Sequence, residues 1–209
     1  MTVTFKTEQE NFWAGEFGDE YQLRNQGAKT VAANVALFSK ILSQVNKPNA
    51  IIEFGANIGL NLDALSILLP EIELAAIEIN KNAAEKLSRF DKIDVFNESI
   101  LEYQPQKTYD LALIKGVLIH INPDELEKVY ERLYLSSHQY ICIAEYYNPT
   151  PMSVSYRGHQ ERLFKRDFAG EMLDKYPDLT LVDYGFVYHR DNNFPQDDTT
   201  WFLLEKHVK

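Results

Sequence analysis

The sequence predicts an α/β fold: a doubly wound, seven-stranded, mostly parallel sheet that ends in an antiparallel hairpin. From residue 50 to residue 147, short apolar runs alternate with segments of helical periodicity. This alternation indicates right-handed βαβ crossovers with helices on both faces of the sheet. The last two apolar runs are joined by the helix-free loop 190–198, which predicts the hairpin. With 209 residues and no repeat or linker, the chain is predicted to form one domain, 1–209.

The individual elements follow from the spacing of apolar side chains. In the long helix 28–45, Val31 and Val35 recur on one face. Asn122 and Pro123 suit the N-cap and the first position of a later helix. The predicted helices are 7–14, 18–26, 28–45, 59–69, 81–89, 123–135 and one near 165–176. The predicted strands are 50–54, 74–79, 93–97, 109–115, 139–147, 179–189 and 199–207.

The composition excludes several classes of protein. A net charge of −10 argues against binding to a nucleic-acid backbone, which requires a basic surface. No apolar run approaches the roughly 20 residues that cross a bilayer, and residues 1–10 lack the apolar stretch of a signal peptide. Cys142 is the single cysteine, so no disulfide framework is expected and a cytoplasmic location is favoured. No His, Cys and carboxylate group has metal-ligand spacing, and nothing indicates the oligomeric state.

The first predicted strand ends on an acid and runs into a loop of permissive backbone. The stretch IIEFGANIGLN contains Glu53, then Gly55, Asn57 and Gly59. A dinucleotide fingerprint needs glycines at the first, third and sixth positions, whereas Asn57 and Leu60 stand at the third and sixth. An acid followed by G-x-G-x-G fits better, because asparagine is the non-glycine residue that best tolerates a left-handed backbone. A structural tight turn after a buried strand is the alternative.

This motif and the order of elements resemble the class I S-adenosylmethionine-dependent methyltransferases. The resemblance implies S-adenosylmethionine as cofactor and S-adenosylhomocysteine as product. It also implies that Glu53 holds the methionyl ammonium through water or backbone, that Glu78 takes both ribose hydroxyls, and that the loop after the third strand reads the adenine. The alternatives are a solvated carboxylate at Glu78 and a plain loop start at Glu98. The predicted cofactor-binding residues are Glu53, Gly55, Ala56, Asn57, Gly59, Glu78, Ile79, Glu98, Ser99, Ile100, Lys115 and Gly116.

A narrower resemblance covers nearly the whole chain. It is carried by IEFGANIGLNL and by EQENFWAGEFGDEYQLRN (8–25), GVLIHINPDEL (116–126), AEYYNPTPMSVSYRGH (144–159) and FKRDFAGEML (164–173). Together these segments resemble the methylases associated with pseudaminic acid biosynthesis. The resemblance implies a small-molecule acceptor, a sugar or sugar nucleotide of a nonulosonic acid or surface glycan pathway.

Two segments outside the cofactor motif are expected to choose the acceptor. The N-terminal helical segment 1–27 is predicted to form a lid, and the polar segment 146–176 is predicted to lie on the substrate side. Aromatic faces suit stacking on a sugar ring, and arginine binds a carboxylate or phosphate in a bidentate grip. Docking of a helix on the sheet is the alternative, and it is preferred for Phe12 and Phe17. The predicted substrate-binding residues are Trp13, Tyr21, Arg24, Tyr156 and Arg157.

Methyl transfer needs little from the protein beyond positioning the acceptor and excluding water. A base near the acceptor proton assists, and His120, five residues past the fourth predicted strand, is the candidate, with Tyr146 as the second predicted catalytic residue. A hydrogen-bonded structural histidine is the alternative at residue 120. A non-catalytic cofactor-binding module and a methyltransferase with a different acceptor also remain open. A nucleotide-sugar dehydratase or reductase is disfavoured by Leu60.

Overall fold

A seven-stranded sheet forms the centre of the protein. The structure, a computed structural model, describes residues 5–24 and 27–207. The sheet order is β3-β2-β1-β4-β5-β9-β8, and β9 runs antiparallel to both of its neighbours while the other pairs are parallel. This arrangement confirms the predicted fold class. The strands are β1 (Ala50–Phe54), β2 (Glu73–Ile77), β3 (Ile93–Phe96), β4 (Tyr109–Lys115), β5 (Ser137–Glu145), β6 (Met152–Tyr156), β7 (His159–Lys165), β8 (Leu179–Val187) and β9 (Thr199–Lys206).

Helices cover both faces of this sheet. Successive residues of a strand point to opposite faces, so Ile51 packs in an apolar cluster with Phe38, whereas Ile52 packs in a second cluster with Leu133 and Met172. Burial of each such side chain contributes about 1.5–3 kcal/mol. The helices are α1 (Glu8–Ala14), α2 (Glu16–Arg24), α3 (Ala28–Leu42), α4 (Leu60–Leu68), α5 (Lys81–Lys86), α6 (Leu126–Ser136) and α7 (Phe168–Lys175).

Two strand ends differ from the prediction in a way that matters for the site. β2 ends at Ile77, so Glu78 and Ile79 lie in the turn that follows the strand. β5 ends two residues earlier than predicted. Glu145 is therefore its last residue, and Tyr146 lies beyond the strand.

Helix starts also differ slightly. The Asn122 side chain accepts the Asp124 amide at 3.0 Å, as a cap should. Pro123–Glu125 is nevertheless a 3₁₀ turn, and α6 begins only at Leu126. Near the N-terminus, α2 starts before the predicted residue 18, and the predicted end at 25–26 lies outside the described residues.

Residues 152–165 form a β-hairpin that was not predicted. β6 and β7 pair antiparallel up to Tyr156 and His159. Arg157 and Gly158 make the two-residue turn with φ of 50° and 85°. Positive φ at both positions is typical of a type I′ turn, whose twist matches that of the flanking strands. The segment 146–176, which was predicted to lie on the substrate side, therefore contains a regular hairpin.

The N-terminal helices pack against this hairpin. The Thr7 side chain accepts the Glu10 amide at 3.1 Å, and the Glu10 carboxylate accepts the Thr7 amide at 2.8 Å, which forms a capping box at the start of α1. The rings of Phe12 and Phe17 stack at 4.0 Å, and His159 lies 5.0 Å from Phe12. Both phenylalanines thus dock the helices, although onto the hairpin and not the sheet.

Two ion pairs add to the attachment of α1 and of the short segment before it. Arg162 of β7 lies 2.9 Å from Glu8, and Lys6 lies 2.6 Å from Glu125. One partner in each pair is well exposed, so each contributes at most about 1 kcal/mol. Residues 1–4 of the predicted lid lie outside the described residues.

None of the helices in the described part of the chain combines the length and the apolar character that a bilayer crossing requires.

Candidate active site

A cleft of about 250 Å³ opens at the carboxyl ends of β1, β2 and β4. The strand order reverses on the two sides of β1, and α4 and α6 pack on opposite faces, a geometry that creates a ligand crevice in open α/β sheets. Helices α1 and α2 supply part of the wall. The predicted site residues that line the cleft are Trp13, Tyr21, Gly55, Ala56, Asn57, Glu78, Ile79, Ser99, Ile100, Lys115, Gly116 and His120.

The turn after β1 depends on left-handed backbone. Gly55 has φ of 76° and Asn57 has φ of 49°, which confirms the left-handed conformation expected for Asn57. The amides of Gly55 and Ala56 both donate to the Ile77 carbonyl, at 2.8 and 3.1 Å, so the turn is attached to the end of β2. A Cβ at Gly55 would lie 2.6 Å from the Val117 side chain. Only glycine allows this close approach of the segment after β4 to the turn.

Gly59, a predicted cofactor-binding residue, packs closely against other side chains in the structure. The residue is left-handed, with φ of 82°, and does not line the cleft. A Cβ there would lie 2.8 Å from Leu87 and 2.9 Å from Phe90. Gly59 therefore permits the packing of the start of α4 against Leu87 and Phe90, which do not line the cleft.

Glu53 is fully buried in β1. One carboxylate oxygen accepts the Asn61 side-chain amide at 2.6 Å, and the other makes no hydrogen bond within the described residues. Burial raises the pKa of Glu53 to about 8, against the opposing effects of Asn61 and of the Lys115 ammonium. Without a further cation nearby the carboxyl is mostly protonated at pH 7, and an approaching positive charge favours its ionisation.

Glu78 lines the cleft from the turn after β2. Its two oxygens accept the amides of Asn57 at 2.6 Å and of Asn80 at 2.7 Å. Burial raises the pKa of Glu78 to about 7, and these backbone amides oppose the shift. Each carboxylate oxygen retains a second lone pair. Glu78 can thus organise the turn and still accept two donors from a ligand.

The loop after β3 meets a residue of α1 that sequence reading missed. Glu10 is buried, and its carboxylate accepts the Ser99 hydroxyl, while the Ser99 oxygen accepts the Leu101 amide at 3.0 Å. Ser99 and Ile100 line the cleft. Glu98 does not, so the structure does not place it where the adenine prediction requires. The capping box could identify Glu10 as a helix residue, but nothing in the sequence brings it across 89 residues to Ser99.

Glu145 is a second missed residue. It is buried at the end of β5, and one oxygen accepts the amides of Val117 and Leu118, both at 2.9 Å. Burial raises the pKa of Glu145 to about 7. The contact fixes the turn that leads from β4 to His120. The rule that selected the acids at other strand ends would have found Glu145 if β5 had been predicted to end there.

His120 is buried at the wall of the cleft. Its Nδ1 lies 2.6 Å from the Arg162 carbonyl oxygen. A carbonyl only accepts, so Nδ1 carries the proton and Nε2 is left as an acceptor. Burial lowers the pKa of His120 to about 4, which keeps the ring neutral at pH 7. The rings of Trp13 and Tyr156 lie 4.6 and 5.0 Å away and shield it from water.

The aromatic residues predicted for the acceptor divide into two groups. Trp13 and Tyr21 line the cleft with ring centroids 5.2 Å apart, and burial raises the pKa of Tyr21 to about 12. Tyr156 contacts His120 from behind the wall. Tyr146 also does not line the cleft; the Lys165 ammonium lies 5.1 Å from its ring centroid, and burial raises its pKa. The structure thus keeps the predicted catalytic Tyr146 outside the cleft wall.

The two predicted arginines lie at the rim and do not line the cleft. Arg24 pairs with Glu20 of its own helix at 3.1 Å, and Arg157 is exposed in the hairpin turn, 5.7 Å from the Tyr156 ring. Both guanidinium charges act to lower the pKa of Tyr21, which places them within electrostatic reach of the opening. Asp197, in the loop before β9, also lines the cleft and was not predicted.

Several buried polar atoms at or beside the cleft form no hydrogen bond within the described residues. Buried polar groups are normally paired, so unpaired atoms at a cleft are candidates for contact with a ligand. They are Gln9 Oε1, Trp13 Nε1, Glu53 Oε2 and Asn57 Oδ1. Two acceptors beside the β1 turn, Glu53 Oε2 and Asn57 Oδ1, suit a ligand that donates from an ammonium and hydroxyls, so these acceptors fit the methionine and ribose portions of S-adenosylmethionine.

Comparison with known proteins identifies the fold. No protein-family model and no curated protein sequence matches the chain. Among solved structures, it is similar to a 1,6-didemethyltoxoflavin-N1-methyltransferase from Burkholderia thailandensis bound to its substrate and S-adenosylhomocysteine, with TM-score 0.70, 15% identity and coverage of 100% of this chain and 94% of that one.

Two further solved structures are also similar to this chain. One is the N-methyltransferase NodS from Bradyrhizobium japonicum with S-adenosylhomocysteine, at TM-score 0.65, 14% identity and coverage of 96% and 97%. The other is magnesium protoporphyrin IX methyltransferase from Synechocystis PCC 6803 with S-adenosylmethionine, at TM-score 0.64, 10% identity and coverage of 98% and 100%. At such identities the likeness establishes the fold: this chain has the Rossmann-like fold of S-adenosylmethionine-dependent methyltransferases.

Proposed function

We propose that this chain is an S-adenosylmethionine-dependent methyltransferase. The observation that carries the proposal is the pair of buried carboxyls, Glu53 and Glu78, at the ends of adjacent strands on either side of the left-handed turn. The fold supports the same conclusion, because the three similar structures contain S-adenosylmethionine or S-adenosylhomocysteine. No residue of a dinucleotide fingerprint beyond Gly55 is present.

The cofactor would be held by groups along the strand ends. The Glu53 carboxyl, with its unpartnered oxygen, serves the methionyl ammonium through water or backbone, and the approach of that charge ionises it. Glu78 accepts the two ribose hydroxyls. Ser99 and Ile100 flank the adenine, and the left-handed Gly116 leaves space beside the methionine portion.

S-adenosylmethionine supplies an electrophilic methyl group whose carbon–sulfur bonding electrons stay on sulfur in the product. The protein holds the acceptor oxygen or nitrogen in line with that bond, and the acceptor loses its proton as the new bond forms. His120 Nε2 takes this proton. A pKa of about 4 makes His120 a weak base, but an alkylated hydroxyl is far more acidic than an imidazolium, so a weak base suffices.

We infer that the acceptor is an acidic or nucleotide-linked sugar of a nonulosonic acid or surface glycan pathway in the cytoplasm. The resemblance to the pseudaminic acid-associated methylases and the aromatic wall of Trp13 and Tyr21 support this inference. Arg24 and Arg157 at the rim supply positive charge toward an anionic group entering the cleft, although they are not in the wall. The net charge of −10 disfavours a nucleic acid.

Calorimetry with S-adenosylmethionine, S-adenosylhomocysteine and NAD tests the first proposal. We expect the protein to bind the first two compounds and not NAD. If the folded protein binds neither S-adenosylmethionine nor S-adenosylhomocysteine, the proposal is contradicted. A labelled-methyl assay with nonulosonic acids and their nucleotide-linked precursors tests the acceptor. Transfer only to a protein or a neutral small molecule would overturn the sugar assignment, and cofactor binding without any transfer would favour a regulatory module.

Arg157→Lys sharpens the acceptor assignment. Lysine keeps the charge but loses the planar fork of arginine, so turnover should fall about tenfold while the affinity for S-adenosylhomocysteine stays unchanged. An equal loss of both would mean that Arg157 belongs to the cofactor side of the cleft.

A further inference from the structure

Two side chains on the lid side of the cleft are oriented by consecutive carbonyls of one strand. The Gln9 amide nitrogen donates to the Glu161 carbonyl at 3.0 Å, and His120 Nδ1 donates to the Arg162 carbonyl at 2.6 Å. Because a carbonyl cannot donate, each contact fixes which atom of the side chain is left over. For Gln9 it is the oxygen Oε1, and for His120 it is Nε2. Both remaining atoms are acceptors.

The strand is deformed at the point where these carbonyls lie. Between the pairs Val154–Leu163 and Tyr156–His159, one residue of β6 faces three residues, 160–162, of β7, so β7 bulges. Glu161 has φ of 54°, a left-handed backbone on a residue other than glycine. In a regular strand, successive carbonyls point to opposite edges. The bulge lets two successive carbonyls serve side chains of the same cleft.

The side chains that carry these two acceptor atoms, Gln9 and His120, lie outside residues 53–116, which form the strand ends and turns assigned to the cofactor. Gln9 and Trp13 are four residues apart and share one face of α1, and Trp13 is the residue whose ring lies 4.6 Å from His120. The next residue, Glu10, points instead toward Ser99 after β3. The lid helix thus places Glu10 on the cofactor side and Gln9 beside His120.

Gln9 is 7% exposed, lines the cleft, and has its oxygen buried without a hydrogen bond. A fixed, buried acceptor without a partner costs about 1–3 kcal/mol, which a bound donor would recover. The indole nitrogen of Trp13 is likewise buried and unpartnered, and it is a donor. This wall of the cleft therefore carries two hydrogen-bond acceptors, Gln9 Oε1 and His120 Nε2, and one donor, Trp13 Nε1.

We propose that Gln9 and His120 together bind a methyl acceptor that carries two neighbouring hydrogen-bond donors, such as vicinal hydroxyls or an amine beside a hydroxyl. The inference rests on the proposed methyltransferase function and names the donor pattern of its acceptor. One donor bonds Gln9 Oε1 and orients the molecule. The other, on the atom to be methylated, bonds His120 Nε2 and passes its proton there as the methyl–acceptor bond forms and the methyl–sulfur bond breaks. Gln9 is a substrate-binding residue, and Glu161 is a positioning residue that acts through its backbone.

Nitrogen-15 NMR of histidine-labelled protein saturated with S-adenosylhomocysteine tests the pair without knowledge of the natural acceptor. The His120 signals, assigned by loss in His120→Gln, should show a protonated Nδ1 and a lone pair on Nε2. Titration with cis-1,2-cyclohexanediol should shift the Nε2 resonance, whereas its dimethyl ether, which has no donor, should not. An equal shift with the ether, or no shift with the diol, overturns the proposal.

A glutamine pair provides the matched variants. Gln9→Met removes the acceptor at similar size and should weaken the response to the diol at least tenfold, with S-adenosylhomocysteine affinity changed less than twofold. Gln106→Met, at an exposed position outside the cleft, should change neither. Retained diol affinity in Gln9→Met, or a parallel loss of nucleoside affinity, overturns the assignment of Gln9 to the acceptor.

Two variants of Glu161 distinguish the effect of its backbone conformation from the effect of its side chain. Valine is strained at positive φ and glycine is not, while both remove the carboxylate. Glu161→Val should therefore disturb the His120 tautomer signature and weaken the diol response at least tenfold more than Glu161→Gly does. Equal effects of the two variants would contradict the role of the bulge. Failure of S-adenosylhomocysteine to bind wild-type protein would sink the proposed function, whereas normal binding with a silent diol titration would sink only this inference.

Discussion

The two halves of the cleft are built in different ways. The cofactor half comes from strand ends and turns within residues 53–116, where Gly55 and Ala56 donate to the end of the neighbouring strand. The acceptor half joins segments from opposite parts of the chain: the Gln9 contact with Glu161 spans 152 residues. Sheet topology fixes where strand ends meet, whatever the substrate. The contacts of the acceptor half have no such general cause, because they depend on which distant segments of the chain meet.

The largest effect that would break this division is expected at His120. His120→Gln keeps a hydrogen-bonding side chain but removes the base, so kcat with the identified acceptor should fall about 10²–10⁴-fold. The affinity for S-adenosylhomocysteine should stay unchanged, as measured by calorimetry. His138→Gln, at a histidine paired with Asp110 outside the cleft, is the control. A loss of kcat below tenfold would return His120 to a structural role.

On the cofactor side, Glu78→Ala should weaken nucleoside binding by about 1.5–3 kcal/mol, the range for hydrogen bonds to a charged group. The variant loses the ribose contacts and the support of the Asn57 amide, and Glu78→Gln should recover part of the loss. Glu98→Ala makes the comparison sharper, because Glu98 does not line the cleft. Equal losses in Glu78→Ala and Glu98→Ala would show that the adenine prediction for Glu98 was right.

Alanine substitutions at Gly59 and Gly158 form a matched test of how tightly the start of α4 is packed. Their φ values, 82° and 85°, are nearly equal, but a Cβ at Gly59 meets Leu87 at 2.8 Å while nothing lies within 4 Å of one at Gly158. Alanine carries the same backbone cost at both positions. We expect Gly59→Ala to lower the free energy of unfolding by about 1–3 kcal/mol more than Gly158→Ala, measured by denaturant titration. Equal costs would place Gly59 back at the ligand.

The smallest effect concerns the pH dependence of stability without cofactor. The pKa of Glu53 is about 8 in the folded protein and near its ordinary 4.5 when unfolded. Between these values the folded state binds more protons, so the free energy of unfolding falls as pH rises, by at most about 1.4 kcal/mol per pH unit. Glu53→Gln should flatten the decline between pH 6.5 and 8.

The range from pH 6.5 to 8 lies above the pH range in which His120 would change stability in the opposite direction. His120, with a folded pKa of about 4, makes stability rise with pH only below its ordinary value near 6.5. Glu78 and Glu145, whose pKa values are about 7, contribute mainly to the lower part of the window. An unchanged slope in Glu53→Gln would show that Glu53 is ionised in the empty cleft.

The sequence predicted the sheet and the positions after β1, β2 and β4 because local patterns specify strands and topology then brings their ends together. It did not predict the β6–β7 hairpin, although Arg157 followed by Gly158 suits a tight turn, since the flanking strands are partly exposed and lack a continuous apolar face. Gln9 and Glu10 could not be recognised at all. Helical periodicity identifies the face of α1 but carries no information about which distant segment that face meets.

The attachment of α1 has a kinetic consequence. Glu10 contacts Ser99 and Gln9 contacts Glu161, so we expect movement of this helix to accompany the release of a bound nucleoside. Part of what restrains it is electrostatic, in the pairs of Glu8 with Arg162 and of Lys6 with Glu125. Dissolved ions screen such surface pairs. We therefore expect the residence time of S-adenosylhomocysteine in the cleft to shorten as ionic strength rises.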